Sequence, residues 1–210
     1  MRSSLKLLIS LVMVWMLSIS IAFAQADYYE IKEQQLSGDL VQGKYPIVQV
    51  DNILLKSKIN GKINKIVNDF QQDIQNANST GTETTGFISY EIKANNENIL
   101  SMVIDCSTMY KRAAHPNTYS YGLSFDKYGN LIQFSQVINE ANIQGSDKYS
   151  IANLNKAIYE QISDDLYDFH QEVTEFPKEF YLDENMDLHV LFQRYDITPY
   201  AVGLVDIILK

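Results

Sequence analysis

The alternation of apolar and polar positions divides this chain into strand-like and helix-like stretches. Residues 28–36 read as a first strand, Ser37-Gly38-Asp39 as a turn, and 45–50 as a second extended stretch with Pro46 near its start. Ile59, Ile63, Ile66, Val67, Phe70 and Ile74 then recur mostly at steps of three and four, which puts them on one face of a long helix. Asp51 or Asn52 can cap that helix. Residues 76–85 are rich in Ser, Thr, Asn and Gly and read as a loop.

Residues 87–94 and 98–110 are strand-like runs separated by a polar turn, the pattern of a hairpin. Leu100, Met102, Ile104 and Cys106 share parity and therefore one face. A loop over 111–117 follows. Residues 118–126 alternate, with Tyr119, Tyr121, Leu123 and Phe125 on one side; Tyr128-Gly129-Asn130 turns the chain and 131–134 returns it as a strand. Ile151, Leu154, Ile158, Ile162, Leu166 and Phe169 predict a second long helix over 148–170, capped by Ser146 or Asp147. Three closing strands are expected over 180–182, 188–194 and 202–209, with Asp183-Glu184-Asn185 turning between the first two. Short turns between strands favour antiparallel pairing. The expected class is α+β: largely antiparallel sheets with two long amphipathic helices packed on them, in two lobes sharing a core. The lobes divide near residue 135, giving 25–134 and 135–210.

The region ahead of these elements has a different character. Arg2 and Lys6 precede an uncharged run of 18 residues, 7–24, which ends in Ala22-Phe23-Ala24. A positive start, an apolar middle and a small-x-small end form a signal peptide, cleaved after Ala24. The competing reading is an uncleaved membrane anchor, since the run is close to the roughly 20 residues that span a bilayer. All 26 acidic residues lie at or beyond Asp27, whereas Arg2 and Lys6 precede the cleavage point; 15 of 17 basic residues remain, and the net charge becomes −11. Such a balance argues against nucleic acid, whose phosphates need Lys and Arg. It fits a cationic partner, although acidity also serves solubility alone.

Candidate chemistry is sparse. Cys106, the single cysteine, cannot form an internal disulfide and sits on an apolar strand face, so a buried inert thiol is expected. His115, His170 and His189 are 55 and 19 residues apart, which matches no local metal-ligand spacing. His115 is the most interesting of the three, because it precedes Pro116 in a loop. Asp164, Asp165, Asp168, Glu172 and Glu175, and then Asp183, Glu184 and Asp187, form two acidic clusters that read as solvated faces. No nucleophile elbow, phosphate-binding glycine loop, His-Glu-x-x-His or Cys-x-x-Cys occurs. The segment 192–203 is the most distinctive: it places Tyr195 and Tyr200 around Pro199, and exposed tyrosines favour recognition surfaces.

These residues carry a resemblance. Phe180-Tyr181-Leu182, Leu188-His189-Val190-Leu191-Phe192 and the run from Tyr195 to Gly203 resemble the C-terminal signature of the RsiV-type extracellular domain, domain of unknown function 3298. Ala113-Ala114-His115-Pro116-Asn117 followed by Tyr121-Gly122-Leu123-Ser124-Phe125-Asp126 resembles its central motif. The stretch from Tyr45-Pro46 through the first helix resembles the module that usually precedes it, as also found in front of the peptidoglycan deacetylase PdaC. The resemblance implies three settings: a lysozyme-recognising sensor of a membrane-bound anti-sigma factor, the non-catalytic front part of a deacetylase, or a stand-alone exported domain. Neither a sigma-binding segment nor a deacetylase domain is recognisable here, so the expectation is the third.

The functional expectation is an exported recognition domain that binds a protein, such as lysozyme, or a glycan at the cell envelope. His115, Asn117, Tyr195 and Tyr200 are the expected contact residues. No catalytic residue, metal or cofactor is expected, nor a nucleic-acid partner, and a membrane only through an uncleaved signal segment. Two other readings stay open: a cell-wall glycan hydrolase using paired carboxylates, and a structural envelope protein without a small ligand.

Overall fold

The computed structural model describes residues 28–143, 147–162 and 172–210. The chain is α+β, as the hydrophobic pattern predicts. Strands β1 (Glu30–Ser37), β2 (Val41–Gln49), β3 (Thr84–Asn95), β4 (Ile99–Tyr110) and β5 (Asn117–Asp126) form one sheet in chain order. Every pairing in it is antiparallel except β2–β3, a parallel contact of Val41–Gly43 with Gly86–Ile88. Strands β6 (Glu179–Leu182), β7 (Leu188–Phe192) and β8 (Val205–Leu209) form a second, antiparallel sheet.

Helix α1 (Ile53–Ser79) lies across one face of the first sheet. Asn52 caps it: its side-chain oxygen accepts from the amides of Leu54 and Leu55, both at 3.1 Å. Ile59, Ile63, Val67, Phe70 and Ile74 are buried against Ile88, Leu100, Met102, Ile104, Cys106, Leu123 and Phe125. Each aliphatic side chain so buried contributes roughly 1.5–3 kcal/mol of transfer free energy. Asn60 shares the buried face, and its carboxamide pairs with both backbone groups of Val48 at 2.9 Å.

The opposite face of the first sheet is only half open. Beyond β5, Ile132 donates to the Ser124 carbonyl, and helix α2 (Phe134–Ile143) follows. The expected strand over 131–134 is therefore a single bridge, Phe125 with Leu131, and Phe134 starts a helix. Gln136 explains that start, since its side chain accepts from the amide of Gln133 at 2.7 Å, three residues back. Helix α3 (Ile151–Gln161) is capped by Ser150, not by the expected Ser146 or Asp147, and turns extended at Ile162. It is shorter than the expected 148–170, whose remainder lies outside the described residues. Helices α2 and α3 cover one side of the second sheet, in a core of Leu154, Ile158, Phe180, Leu188, Val190, Phe192, Ile207 and Leu209.

The second sheet turns its other side to β4 and β5. Tyr181 and Leu191 pack on Val103. Gly122 is what allows this approach, because a side chain there would run into the Phe180 carbonyl. The Ser124 hydroxyl receives the Leu182 amide at 2.9 Å and meets the Ser101 hydroxyl at 2.8 Å. The free edge of β5 is masked by side chains: Gln193 pairs with both backbone groups of Ser120, and Glu179 accepts from the Gly122 amide. Several boundaries differ from expectation. Helix α1 runs to Ser79 and β3 begins at Thr84, so the loop expected over 76–85 shrinks to 80–83. Strand β2 begins at Val41, so Pro46 is interior, tolerated where only β1 pairs alongside. The last strand begins at Val205 because Tyr200–Val202 forms a 3-10 turn closed by Gly203 at φ 87°.

Candidate functional site

Two loops distant in sequence meet at one end of the first sheet. The first joins β4 to β5 and contains Arg112 at φ 69°; the second follows β7 and contains Tyr195 at φ 73°. A left-handed backbone is costly for residues this large and collects at functional positions. The second loop is pinned on both sides of Tyr195. Gln193 is tied to β5, the Gln193 amide donates to Asp196 at 2.7 Å, and Ile197 is buried in the core. Tyr195 is thereby pushed outward and is 65% exposed.

Three of the four expected contact residues come together here. The rings of His115 and Tyr200 stack with centroids 3.7 Å apart and planes inclined by 22°. The Tyr200 hydroxyl donates to the Pro116 carbonyl at 2.9 Å, which locks the two loops together. The Tyr195 hydroxyl lies 3.4 Å from His115 Nε2, and the Tyr195 and Tyr200 centroids are 5.6 Å apart. The Arg194 guanidinium sits 5.8 Å from the Tyr200 ring centre. Within the same loop, Arg194 Nη1 and Thr198 Oγ1 are buried without a hydrogen-bond partner. Asn117 is not part of this platform. It opens β5 and lines a separate depression beside Tyr110, Tyr119 and Tyr121.

The platform continues onto the open face of the first sheet. Leu40, Phe87 and Met109 are exposed there and, with Pro116, line a groove of about 480 Å³. Sequence reading did not single out Phe87, Met109, Arg112 or Arg194. Phe87 and Met109 did carry a signal, since they stand on the parity opposite to the core-facing residues of β3 and β4. Charges of both signs stand around it: Arg194 lies near the Tyr200 ring, Asp196 follows Tyr195, Asp39 lines the groove, and Lys111 is paired with Glu83.

The remaining candidates have structural surroundings. Cys106 is buried under α1, and burial pushes its thiol up to about 12. His189 faces the cleft between the sheets. Its Nδ1 is 2.7 Å from Asp206 and 2.9 Å from the Tyr181 hydroxyl, its ring stacks on Tyr181, and its Nε2 lies 3.5 Å from Asp183. Burial pushes the Asp183 carboxyl up, but hydrogen bonds from the amides of Asp187 and Asn185, with His189 beside it, outweigh that and hold it low. Asp187 pairs with Lys148 at 3.3 Å. Glu179 is raised by burial, against the opposing bonds from Gly122 and Tyr119. His170, Asp164, Asp165 and Asp168 lie outside the described residues. Among the described residues no group of three His, Cys, Asp or Glu side chains is placed to hold a metal ion, and no helix is long and apolar enough to cross a membrane.

Fold and site together define an α+β domain with two stacked sheets and a loop-borne aromatic platform at one end. Residues 141–210 match the family described as protein of unknown function, DUF3298, so a domain of that family is present in the C-terminal third of the chain. The fold is similar to that of a DUF3298 family member from Bacteroides fragilis, at TM-score 0.52 and 16% identity over 87% of this chain and 90% of that one. It is also similar to a DUF3298 family protein from Pseudomonas aeruginosa, at TM-score 0.51 and 9% identity over 86% and 88%. None of the curated proteins matches the chain.

Proposed function

We propose that this chain is an exported recognition domain that binds a protein at the cell envelope through the His115–Tyr195–Tyr200 platform and the groove beside it. The observation that carries this reading is Tyr195: a large aromatic residue, two-thirds exposed, held in a left-handed conformation by anchors on either side. Solubility and packing alone give no reason to hold an aromatic ring out in water at that cost. Tyr, Phe, Met and Arg are the residues enriched where protein interfaces are driest, and here Tyr195, Phe87, Met109 and Arg194 gather in one area. The signal-like run at 7–24 and the RsiV-type resemblance support an envelope location, and net acidity supports a basic partner such as lysozyme.

Calorimetric titration with a c-type lysozyme tests the reading. Saturable binding at moderate salt that disappears in Tyr195→Ala, with the thermal midpoint of that variant unchanged, is the expected result. Binding that Tyr195→Ala and Phe87→Ser leave intact would remove the platform from the account.

A further inference from the structure

The end of the molecule opposite the platform carries its own exposed apolar cluster. Ile53 and Leu54 open α1 and are 80% and 75% exposed. At the same end are Tyr128, 63% exposed, in the turn after β5, and Tyr28, 55% exposed, shortly before β1. Contacts place these four at one pole. The Tyr28 amide donates to Asn95 at the end of β3, Ile99 pairs with Asp126, Lys58 reaches Asn130 at 2.7 Å, and Gly129 sits against Leu55. Lys56, Lys58 and Lys127 flank the cluster, with the Lys127 ammonium 5.3 Å from the Tyr128 ring centre.

The geometry points to a lipid surface as the occupant: Ile53 and Leu54 enter the interfacial layer of a bilayer, with Tyr28 and Tyr128 at the headgroup level. This inference rests on the export reading of residues 7–24, in its anchor form. Ala24 ends the uncharged run and Tyr28 already belongs to this pole. Four residue steps reach at most about 14 Å, so a run held in a bilayer keeps this pole at the membrane. Aliphatic tips with tyrosines and flanking lysines are the composition of interfacial anchors. Lys and Tyr side chains suit that layer because each keeps a polar end in water above an apolar stem. The platform then faces outward from the opposite pole.

The full chain is reconstituted into phosphatidylcholine vesicles carrying brominated acyl chains, and vesicle flotation is measured first. A polarity-sensitive dye is then placed at Asp51→Cys, next to the tip, or at Asp39→Cys, at the platform pole. Cys106 does not compete for the label, being buried. Flotation with a blue shift and quenching at 51 but not at 39, both lost in an Ile53→Ser, Leu54→Ser variant that still floats, is the expected result. A chain that fails to float overturns the anchor reading and this inference with it. A chain that floats with position 51 unquenched overturns the inference alone. A doubled mass in solution that falls to the monomer in the Ser variant would assign the tip to a second copy instead.

Discussion

Asn60 occupies a core position on α1, where a carboxamide has nothing apolar to offer. It stays because it makes the two bonds that a neighbouring strand would make to Val48. The same device recurs among the described residues: Asn78 with Thr84, Asn95 with Tyr29, Asn155 with Val173, Gln161 with Ile208 and Gln193 with Ser120. Each satisfies backbone groups that no neighbouring strand pairs, which matters because an unpaired buried peptide group is costly. Removing one partner should therefore hurt more than an average contact would. Asn60→Ala strands a buried donor and acceptor and should lower the unfolding free energy by about 2–4 kcal/mol, whereas Lys62→Ala, nearby on α1 and exposed, should change it by less than about 0.5 kcal/mol in the same denaturant titration. Equal effects would mean that water replaces the carboxamide at no cost. Titration at two carboxylates gives opposite signs. Asp183 is held below its ordinary 3.8, so its contribution is present above that value and is lost as pH falls through the lower folded value. Glu179 is held above its ordinary 4.5, so its contribution is present below 4.5 and is lost as pH rises through the higher folded value. Asp183→Asn should flatten the acid limb of a stability–pH curve, and Glu179→Gln should flatten the fall just above 4.5. A curve shape unchanged by both would refute the assignment.

At the scale of elements, the two sheets are joined through one missing side chain. Gly122 lets β6 lie on β5, whereas Gly61, on the solvent side of α1, has open space where a methyl group would stand. The same substitution should thus act in opposite directions. Gly61→Ala should stabilise by about 0.5–1 kcal/mol through helix propensity, while Gly122→Ala should cost about 2–4 kcal/mol and speed amide exchange in β6–β8. Thermal melts and hydrogen exchange read both; destabilisation by the two alike would contradict this contrast. The contrast also shows where sequence patterning reaches its limit. Helix α1 was legible because its partner is a sheet on one side and water on the other, so period alone records it. The hairpin β3–β4 and the Leu100–Cys106 face were legible for the same reason. Thr118, Ser120 and Ser124 alternate with the apolar face of β5 and carry no apolar signal, yet they are buried: the first two pair with Ser107 and Asp105 on β4, and the Ser124 hydroxyl receives the Leu182 amide from β6. Helix α2 was missed because it is short and follows closely on a bridge; the Gln133–Gln136 spacing and the Phe134, Val137, Ile138 stripe were its sequence signals. The platform was legible residue by residue, as a His-Pro loop and a Tyr-rich segment. Both were expected in one contact surface, but the bond that joins them was not legible, because no single sequence records that Tyr200 reaches Pro116. Nor does it record a positive φ at Tyr195.

The whole molecule is polar in the geometric sense. Strand β4 runs roughly 36 Å at about 3.3 Å per residue, from the pole where the chain enters to the pole where the loops meet. In the proposed function the field of the chain and the rings of the platform act at different ranges, and the two separate in kinetics. The net charge of −11 for residues 25–210 makes a long-range field, whereas the rings of His115, Tyr195 and Tyr200 act only in contact. Screening shortens the field to about 8 Å at physiological salt and leaves stacked rings untouched. Association with a basic protein should therefore slow as salt rises, with dissociation nearly constant. Tyr195→Ala should do the reverse, leaving association within about threefold and accelerating dissociation by tenfold or more, since contact changes act mainly on the off-rate. Surface-immobilised lysozyme and stopped-flow mixing measure both rates. If salt raised the off-rate as strongly as Tyr195→Ala does, the contact would be ionic rather than aromatic. Arg194, near the Tyr200 ring, and Arg112, in the His115 loop, would then be the residues to change next.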